Sequence, residues 1–324
     1  MSDRAALVRG LDFSACKILL LGDLVLDRSI FGTTRRISRE APIPVVQYSG
    51  QDVAPGGAAN VAANLASLGA HVSVAGLVGD DASGEELVHC LTQIGADTGL
   101  VQVAAQQPTT VKTRIFAGGV GTVRQQVLRL DHEPGAQPDA ATLERLTQAV
   151  RDAATGYDVV ILSDYGYGAV PASLCAQLND AVVVVDSRRQ LNQFVGAHTL
   201  KPNLSELEGL VGRDLLTEDA IAKAAQSLIQ QSEAAAVLVT LGRDGMLLCE
   251  RDQLRKVPVF GDDEIADVTG AGDSVLAAYA LSLAAGYDRL QAAHVATVAG
   301  AVAVNHYGTH AVRTAEMLEA VGHG

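Results

Sequence analysis

Asp267-Val268-Thr269-Gly270-Ala271-Gly272-Asp273 combines small, flexible residues with a terminal carboxylate and runs straight into an apolar segment. In that segment Val275, Leu276, Tyr279 and Leu283 recur at the spacing of one buried helix face, and Gly286 supplies a C′ residue behind it. The pattern predicts a turn, Gly270 to Gly272, set against a helix N-terminus. There, free backbone N–H groups and the helix dipole favour an anion, and glycines let the backbone approach it closely. A carboxylate at the same helix start repels a bound phosphate unless it is there to take a proton from a nucleophile. Donors around a moving phosphoryl group, with a base beside the attacking hydroxyl, are what phosphoryl transfer requires. Spacing alone leaves a plainer alternative open, a tight loop with Asp273 as its N-cap.

Other polar groups stand where apolar runs end. Gly22-Asp23-Leu24-Val25-Leu26-Asp27 carries two carboxylates four residues apart, a pattern suited to pairs of sugar hydroxyls or simply to a solvated loop. Pro55-Gly56-Gly57-Ala58-Ala59-Asn60 opens a helix that ends at Gly69, with small residues for close approach and an amide that both donates and accepts. Asn203-Leu204-Ser205-Glu206 starts another helix in a capping-box-like arrangement, a sufficient structural explanation by itself. Leu241-Gly242-Arg243-Asp244-Gly245, after Thr240, reads as a hairpin turn.

The elements that must position these groups alternate between β-type runs and helical patterns. The central strands are expected at Lys17–Gly22, His71–Val78, Asp158–Ser163, Ala181–Asp186 and Ala235–Thr240. That alternation predicts an α/β fold, a mainly parallel sheet with helices on both faces and ligands at the carboxyl ends of its strands. Ile30–Val46 has two prolines and short alternating runs, which suits an edge hairpin. Thr110–Phe116 and Thr122–Asp131, with Gly118, Gly119 and Gly121 between them, form a second such unit. The hairpins read either as a β-lid or as surface hairpins without a role.

The chain has 324 residues, 48% hydrophobic and 19% charged, enough for a substantial core. A formal net charge of −13 argues against nucleic acid or an anionic membrane as partner. Cys16, Cys90, Cys175 and Cys249 are far apart, which fits free thiols in a reducing cytoplasm better than a disulfide framework or a zinc site. Met1 to Arg9 has no apolar core of signal-peptide length, and no run reaches transmembrane length. Walker A, Gly-x-Gly-x-x-Gly, paired-His metal and Gly-x-Ser-x-Gly motifs are missing, and the eight histidines read as ordinary surface or core residues.

Asp-Val-Thr-Gly-Ala-Gly-Asp, preceded by Gly-Gly-x-x-Asn in the right order, resembles the two signatures of the ribokinase-like (PfkB) carbohydrate kinases over roughly residues 17 to 310. The resemblance implies a three-layer sandwich, a single domain over 1–324 with lid segments near 28–50 and 108–132, and an ATP:sugar phosphotransferase. It makes Asp273 the catalytic base and the Gly270, Ala271 and Gly272 amides the anion hole. It gives Asp27, Gly56, Gly57 and Asn60 to the sugar. Asn203 and Glu206 orient Mg²⁺ and the nucleotide phosphates, with Asp186 aiding the metal, and Thr240, Gly242 and Gly245 contact the nucleotide. An ordinary Asp pKa of about 3.9 would make Asp273 a weak base, with late proton transfer.

A narrower likeness is to the D-glycero-β-D-manno-heptose-7-phosphate kinases, carried by Arg36-Ile37-Ser38, Glu40-Ala41-Pro42, Pro44-Val45-Val46, Gln126–Asp131 and Leu162-Ser163-Asp164-Tyr165. It implies phosphorylation of the anomeric hydroxyl to the 1,7-bisphosphate, with Lys112, Arg129 and Asp164 at the substrate and Arg114 and Arg36 nearby. Tyr167 stands where that group has Lys, and Asp186-Ser187-Arg188-Arg189 where it has Asp-Pro-Lys-Gly. Arg188 is thus a cation that has shifted position. Many such kinases are fused to a nucleotidyltransferase. With no His-x-Gly-His motif before Gly324, the expectation here is the kinase alone. A kinase of another sugar, sugar phosphate or nucleoside, and a sensor without turnover, are the competing readings. The apolar runs Ile43–Tyr48 and Val111–Phe116 point to a homodimer through the lid.

Overall fold

The computed structural model describes residues 2–119, 123–251, 253–261 and 267–323. Gly121 and Thr122, expected at the second hairpin turn, lie outside the described residues. Among those described, nine strands form one sheet, in the order β13 (Gln253–Val257), β12 (Met246–Glu250), β11 (Ala236–Thr240), β10 (Thr199–Leu200), β9 (Val183–Ser187), β8 (Val159–Asp164), β1 (Lys17–Gly22), β4 (His71–Val78) and β5 (Asp97–Val103). From β11 to β5 every pairing is parallel, and the β11–β12–β13 edge is antiparallel. Strands buried on both faces read as unbroken apolar runs, and Ile18–Leu21 and Val159–Leu162 are fully buried. One core lies between the sheet and helices α2 (Ala58–Ser67), α7 (Ala271–Ala284) and α8 (Arg289–Val304). The other lies beneath α4 (Ala140–Ala154), α5 (Leu204–Val211) and α6 (Glu218–Ser232). The chain leaves β1 for β4 on one side, while β8 pairs on the other, so the switch point of the topology falls between β1 and β8.

A second sheet is the lid: β3 (Pro44–Gly57), β2 (Leu24–Ile37), β6 (Thr110–Gly118) and β7 (Gln125–His132). It begins earlier and ends later than the segment 28–50 expected for its first hairpin. Gly56 and Gly57 close β3 rather than opening α2, because they pair with Val25 and Leu24. Val111 is buried in the first core, so it is not part of an exposed run. The exposed large apolar side chains of the lid include Ile37, Ile43, Tyr48, Val127, Leu128 and Leu130.

Helix α7 departs from a one-faced reading. Ser274 to Ser282 are buried without interruption, because α2 and α8 pack on the faces that the sheet does not cover. Gly286, at φ 86°, takes the left-handed conformation expected after the helix.

Candidate active site

Helix α7 begins at Ala271 behind Gly270, whose φ of 77° requires a residue without strain there. Asp273 stands in its first turn on the floor of a cavity of about 320 Å³, open to the cavity but walled by protein on its other sides. Asn60 Nδ2 donates to Asp273 Oδ2 at 2.6 Å, and the Tyr165 hydroxyl donates to Oδ1 at 2.8 Å. Burial raises the Asp273 carboxyl to about 6; the two hydrogen bonds and Lys201 pull it down, and Asp186 pushes it up. This corrects the expectation of an ordinary carboxylate. A base with a pKa near 6 is ionised at neutral pH and stronger than a surface Asp.

The turn itself is partly engaged. Ala271 N–H bonds back to Val268 O at 3.3 Å, and Asp273 N–H to Gly270 O at 3.0 Å. Among the described residues, no protein acceptor takes the Gly270 or Gly272 N–H, and Gly272 lies in the first helical turn, where amides lack helical partners. Those two amides are the donors the turn leaves open.

Much of the cavity wall is charged. Asp27, Lys112, Arg114, Asp164, Arg188 and Lys201 all line it. Asp27 pairs with Arg114 at 2.7 Å. A Cβ on Gly56 would stand 2.6 Å from Asp27 Oδ2, so Gly56 makes room for that carboxylate. Gly57 lines the cavity at φ 55°, and a Cβ there would lie 2.8 Å from Asp23 O. Lys112 is buried, 5.9 and 5.6 Å from the ring centres of Tyr165 and Tyr167. Burial first, then Arg188 and Arg129, lower its pKa, while Asp27 and Asp131 oppose that shift. The Arg188 guanidinium lies 4.3 Å over the Tyr165 ring.

Three expectations change here. Arg129 does not line the cavity; its Nε and Nη2 donate to the two Asp131 oxygens, at 2.8 and 2.7 Å. Asp164 lines the cavity but already accepts from Ser187 Oγ, Gln190 Nε2 and Gly166 N, so its part is to hold the wall. Asp23 is buried and accepts the N–H groups of Tyr165, Tyr167 and Ala169 at 2.8 to 3.0 Å. It therefore holds the loop that carries Tyr165 and does not face the cavity as a polyol ligand.

At the α5 end of the cavity, Asn203 and Glu206 form a full capping box, each bonding the other's backbone N–H at 2.8 Å. Lys201, 3% exposed, pairs with Asp186 at 2.8 Å. Burial alone would lower the Lys201 pKa, but Asp186, Glu206 and Asp273 outweigh it and hold it raised. Burial and then Asp186 raise the Glu206 carboxyl, against Lys201. Asp186 and Glu206 offer the oxygen donors that a hard divalent cation takes.

A second cavity, of about 720 Å³, opens beyond the turn, lined by Met246, Val259, Phe260, Val275, Ala301 and Val304 among others. Gly242 and Gly245 line it as well, and a Cβ on Gly245 would stand 2.2 Å from Val257 O. The two cavities meet at Thr240, Val268 and Gly272.

Lys201 is a cavity position that the sequence alone does not single out; its faint signal is an ionisable residue directly after an apolar strand. In sequence Arg188 stands only as a displaced cation and Tyr165 only as part of a motif; the hydrogen bond of Tyr165 to Asp273 is not legible there, because the two are 108 residues apart in the chain.

The sequence matches the pfkB family carbohydrate kinase profile over residues 17–315. It is 36% identical over 316 residues to the bifunctional protein HldE of Mesorhizobium japonicum, covering 95% of this chain and 62% of that one. It is 37% identical over 315 residues to the HldE of Magnetococcus marinus, covering 94% of this chain and 63% of that one. The chain thus spans less than two thirds of the length of these relatives. Its fold is similar to phosphofructokinase-2 from Escherichia coli in complex with potassium, with a TM-score of 0.77 at 23% identity over 95% of this chain and 99% of that one. It is also similar to Arabidopsis thaliana ribokinase complexed with ribose and ATP, with a TM-score of 0.73 at 20% identity over 95% of this chain and 99% of that one. The chain, with a carboxylate and open amides at a helix start beneath a lid, is therefore a member of the pfkB family of carbohydrate kinases, phosphotransferases with an alcohol group as acceptor.

Proposed function

We propose that this kinase phosphorylates the anomeric hydroxyl of D-glycero-β-D-manno-heptose 7-phosphate, giving the 1,7-bisphosphate. The observation that carries this reading is the pair Lys112 and Arg188. Both line the acceptor cavity, and among the described residues neither is paired with a carboxylate. In a chain of net charge −13, two such cations beside a carboxylate that suits hydroxyls fit a sugar that already bears a phosphate. The likeness of the lid and of the Leu162–Tyr165 segment to heptose-7-phosphate kinases supports the same substrate.

In this mechanism Asn60 and Tyr165 hold both oxygens of the Asp273 carboxylate, which accepts the proton of the attacking hydroxyl. The Gly270 and Gly272 amides stabilise charge on the transferring group. Mg·ATP, when bound, supplies the phosphoryl group and neutralises its charge. Asp186, Asn203 and Glu206 would hold the metal and phosphates. Thr240, Gly242, Gly245 and the apolar cavity would hold the nucleoside. Arg188 and Tyr167 in place of the residues usual in the heptose group favour one second reading, a kinase of another sugar phosphate. A cytoplasmic location agrees with the free thiols, and no described helix is long and apolar enough to cross a membrane.

The deciding experiment compares kcat/KM for heptose 7-phosphate, hexose and pentose phosphates, and their free sugars. Two charge-assisted contacts at about 1.5–3 kcal/mol each predict a strong preference for a phosphorylated sugar. Equal or better turnover of a free sugar overturns the reading.

A further inference from the structure

We propose that His306, His310 and Glu316 form a transition-metal site on the loop that backs the anion-hole turn. The two histidines lie between α8 and α9 (Thr314–His323), and Glu316 lies in the first turn of α9. One ligand atom from each falls within 4.8 Å of the others. His310 Nε2 is 3.2 and 3.1 Å from the two Glu316 oxygens. Its ring stacks on that of His306, with centroids 3.7 Å and planes 13° apart.

Two imidazoles and a carboxylate are the donor set of zinc and its neighbours in the first transition row, with room left for water. Magnesium and alkali ions take oxygen donors and are poorly served here. An ion must lie in the plane of each ring that binds it. Closure therefore requires His306, the most accessible of the three, to turn out of the stack while His310 and Glu316 keep their places. Arg313 also bonds Glu316, through its N–H and Nη2, both at 2.8 Å, and so competes with the ion for that carboxylate.

The position of the loop gives the site a consequence. Gly308 and Thr309 stand between the two histidines. Gly308 N–H donates to Asp267 Oδ2 at 2.9 Å, and Asp267 Oδ1 accepts from the N–H and hydroxyl of Thr269, immediately before Gly270. Thr309 lines the acceptor cavity, and a Cβ on Gly270 would stand 3.4 Å from its Cγ2. An ion tying positions 306 and 310 to α9 fixes the residues that support the turn from behind. Metal binding stands independently of the proposed substrate; only the coupling to the turn rests on the kinase reading.

The test uses the full chain, freed of metal by chelation and kept in excess Mg²⁺ so that oxygen sites are filled. Titration with Co²⁺ should give one equivalent with a visible absorption band, displaced by Zn²⁺. His306→Gln and His310→Gln should each weaken binding by at least about ten-fold, the low end of what disturbing a metal's surroundings costs. His71→Gln, at an exposed histidine elsewhere, should bind as the natural chain does. Because His306 is the most accessible of the three, its variant keeps the test valid even if the His310 variant does not fold. No Co²⁺ binding, or equal binding by the natural chain and His306→Gln, overturns the site. Amide exchange at Thr269 and Gly308 should slow on Zn²⁺ addition in the natural chain and not in His306→Gln. Unchanged exchange with metal bound overturns the coupling.

Discussion

On one side of the Gly270–Gly272 turn the cavity wall carries Asp27, Lys112, Arg114, Arg188 and Lys201; on the other it is Met246, Val259, Phe260 and Val304. The charged side is held by pairs and rings already in place: Arg114 on Asp27, Lys201 on Asp186, Arg188 over Tyr165. The apolar side needs only shape and freedom from water. The contrast shows where specificity resides. An apolar slot discriminates weakly between ligands of similar size, whereas buried charges penalise any ligand that leaves them unpaired. Asp273 and the open Gly270 and Gly272 amides sit on the boundary, where the proposed transfer would take place.

The strongest way to break this picture acts at the boundary. Asp273→Asn should lower kcat by roughly a hundred-fold to ten-thousand-fold while nucleotide binding, measured by titration calorimetry, stays nearly unchanged. Retention of more than about a tenth of turnover would send the search for the base elsewhere.

On the charged side, Lys112→Met should raise KM for a phosphorylated sugar by about ten-fold to a hundred-fold, the equivalent of one charge-assisted contact. Nucleotide KM should hardly move, because the apolar cavity is not touched. A parallel rise in nucleotide KM would mean that the two cavities do not divide the ligands as argued.

Tyr165→Phe sharpens the comparison through pH. Asp273 must be ionised to act, and its pKa is raised to about 6, so kcat/KM falls as pH drops through that value. Removing the Tyr165 hydroxyl deletes a bond that favours the ionised form, so the acid limb should move to higher pH. A limb that stays in place, or moves down, would exclude Tyr165 as the partner that sets the base.

The smallest effect on chemistry is expected at the lid. Ile37, Ile43, Tyr48, Leu128 and Leu130 are exposed, and two copies pairing through these faces would cover them. Light scattering should report a dimer, and Leu130→Glu should shift it to monomer with only a modest change in kcat. A clean monomer for the natural chain at micromolar concentration would count against a lid interface.

The sequence by itself determined five of the nine strands described in the main sheet, the turn and its helix, and the capping box at Asn203. These depend on local periodicity, on glycine where φ is positive, and on side chains bonding backbone within a few residues. It also carried the signatures that mark Asp273 and Asn60. Only the tertiary structure decided how the charges are used. Asp23 and Asp27 look alike in sequence, yet Asp23 turns into the Tyr165–Ala169 loop while Asp27 meets Arg114 in the cavity. Arg129 and Lys112 lie on facing lid strands, yet one is spent on Asp131 and the other is left to the cavity. The raised pKa of Asp273 is likewise legible only after folding, because desolvation and partners such as Tyr165 come from segments far apart in the chain. Charge pairing acts through space over a few ångströms, and sequence spacing does not report which groups will share that space.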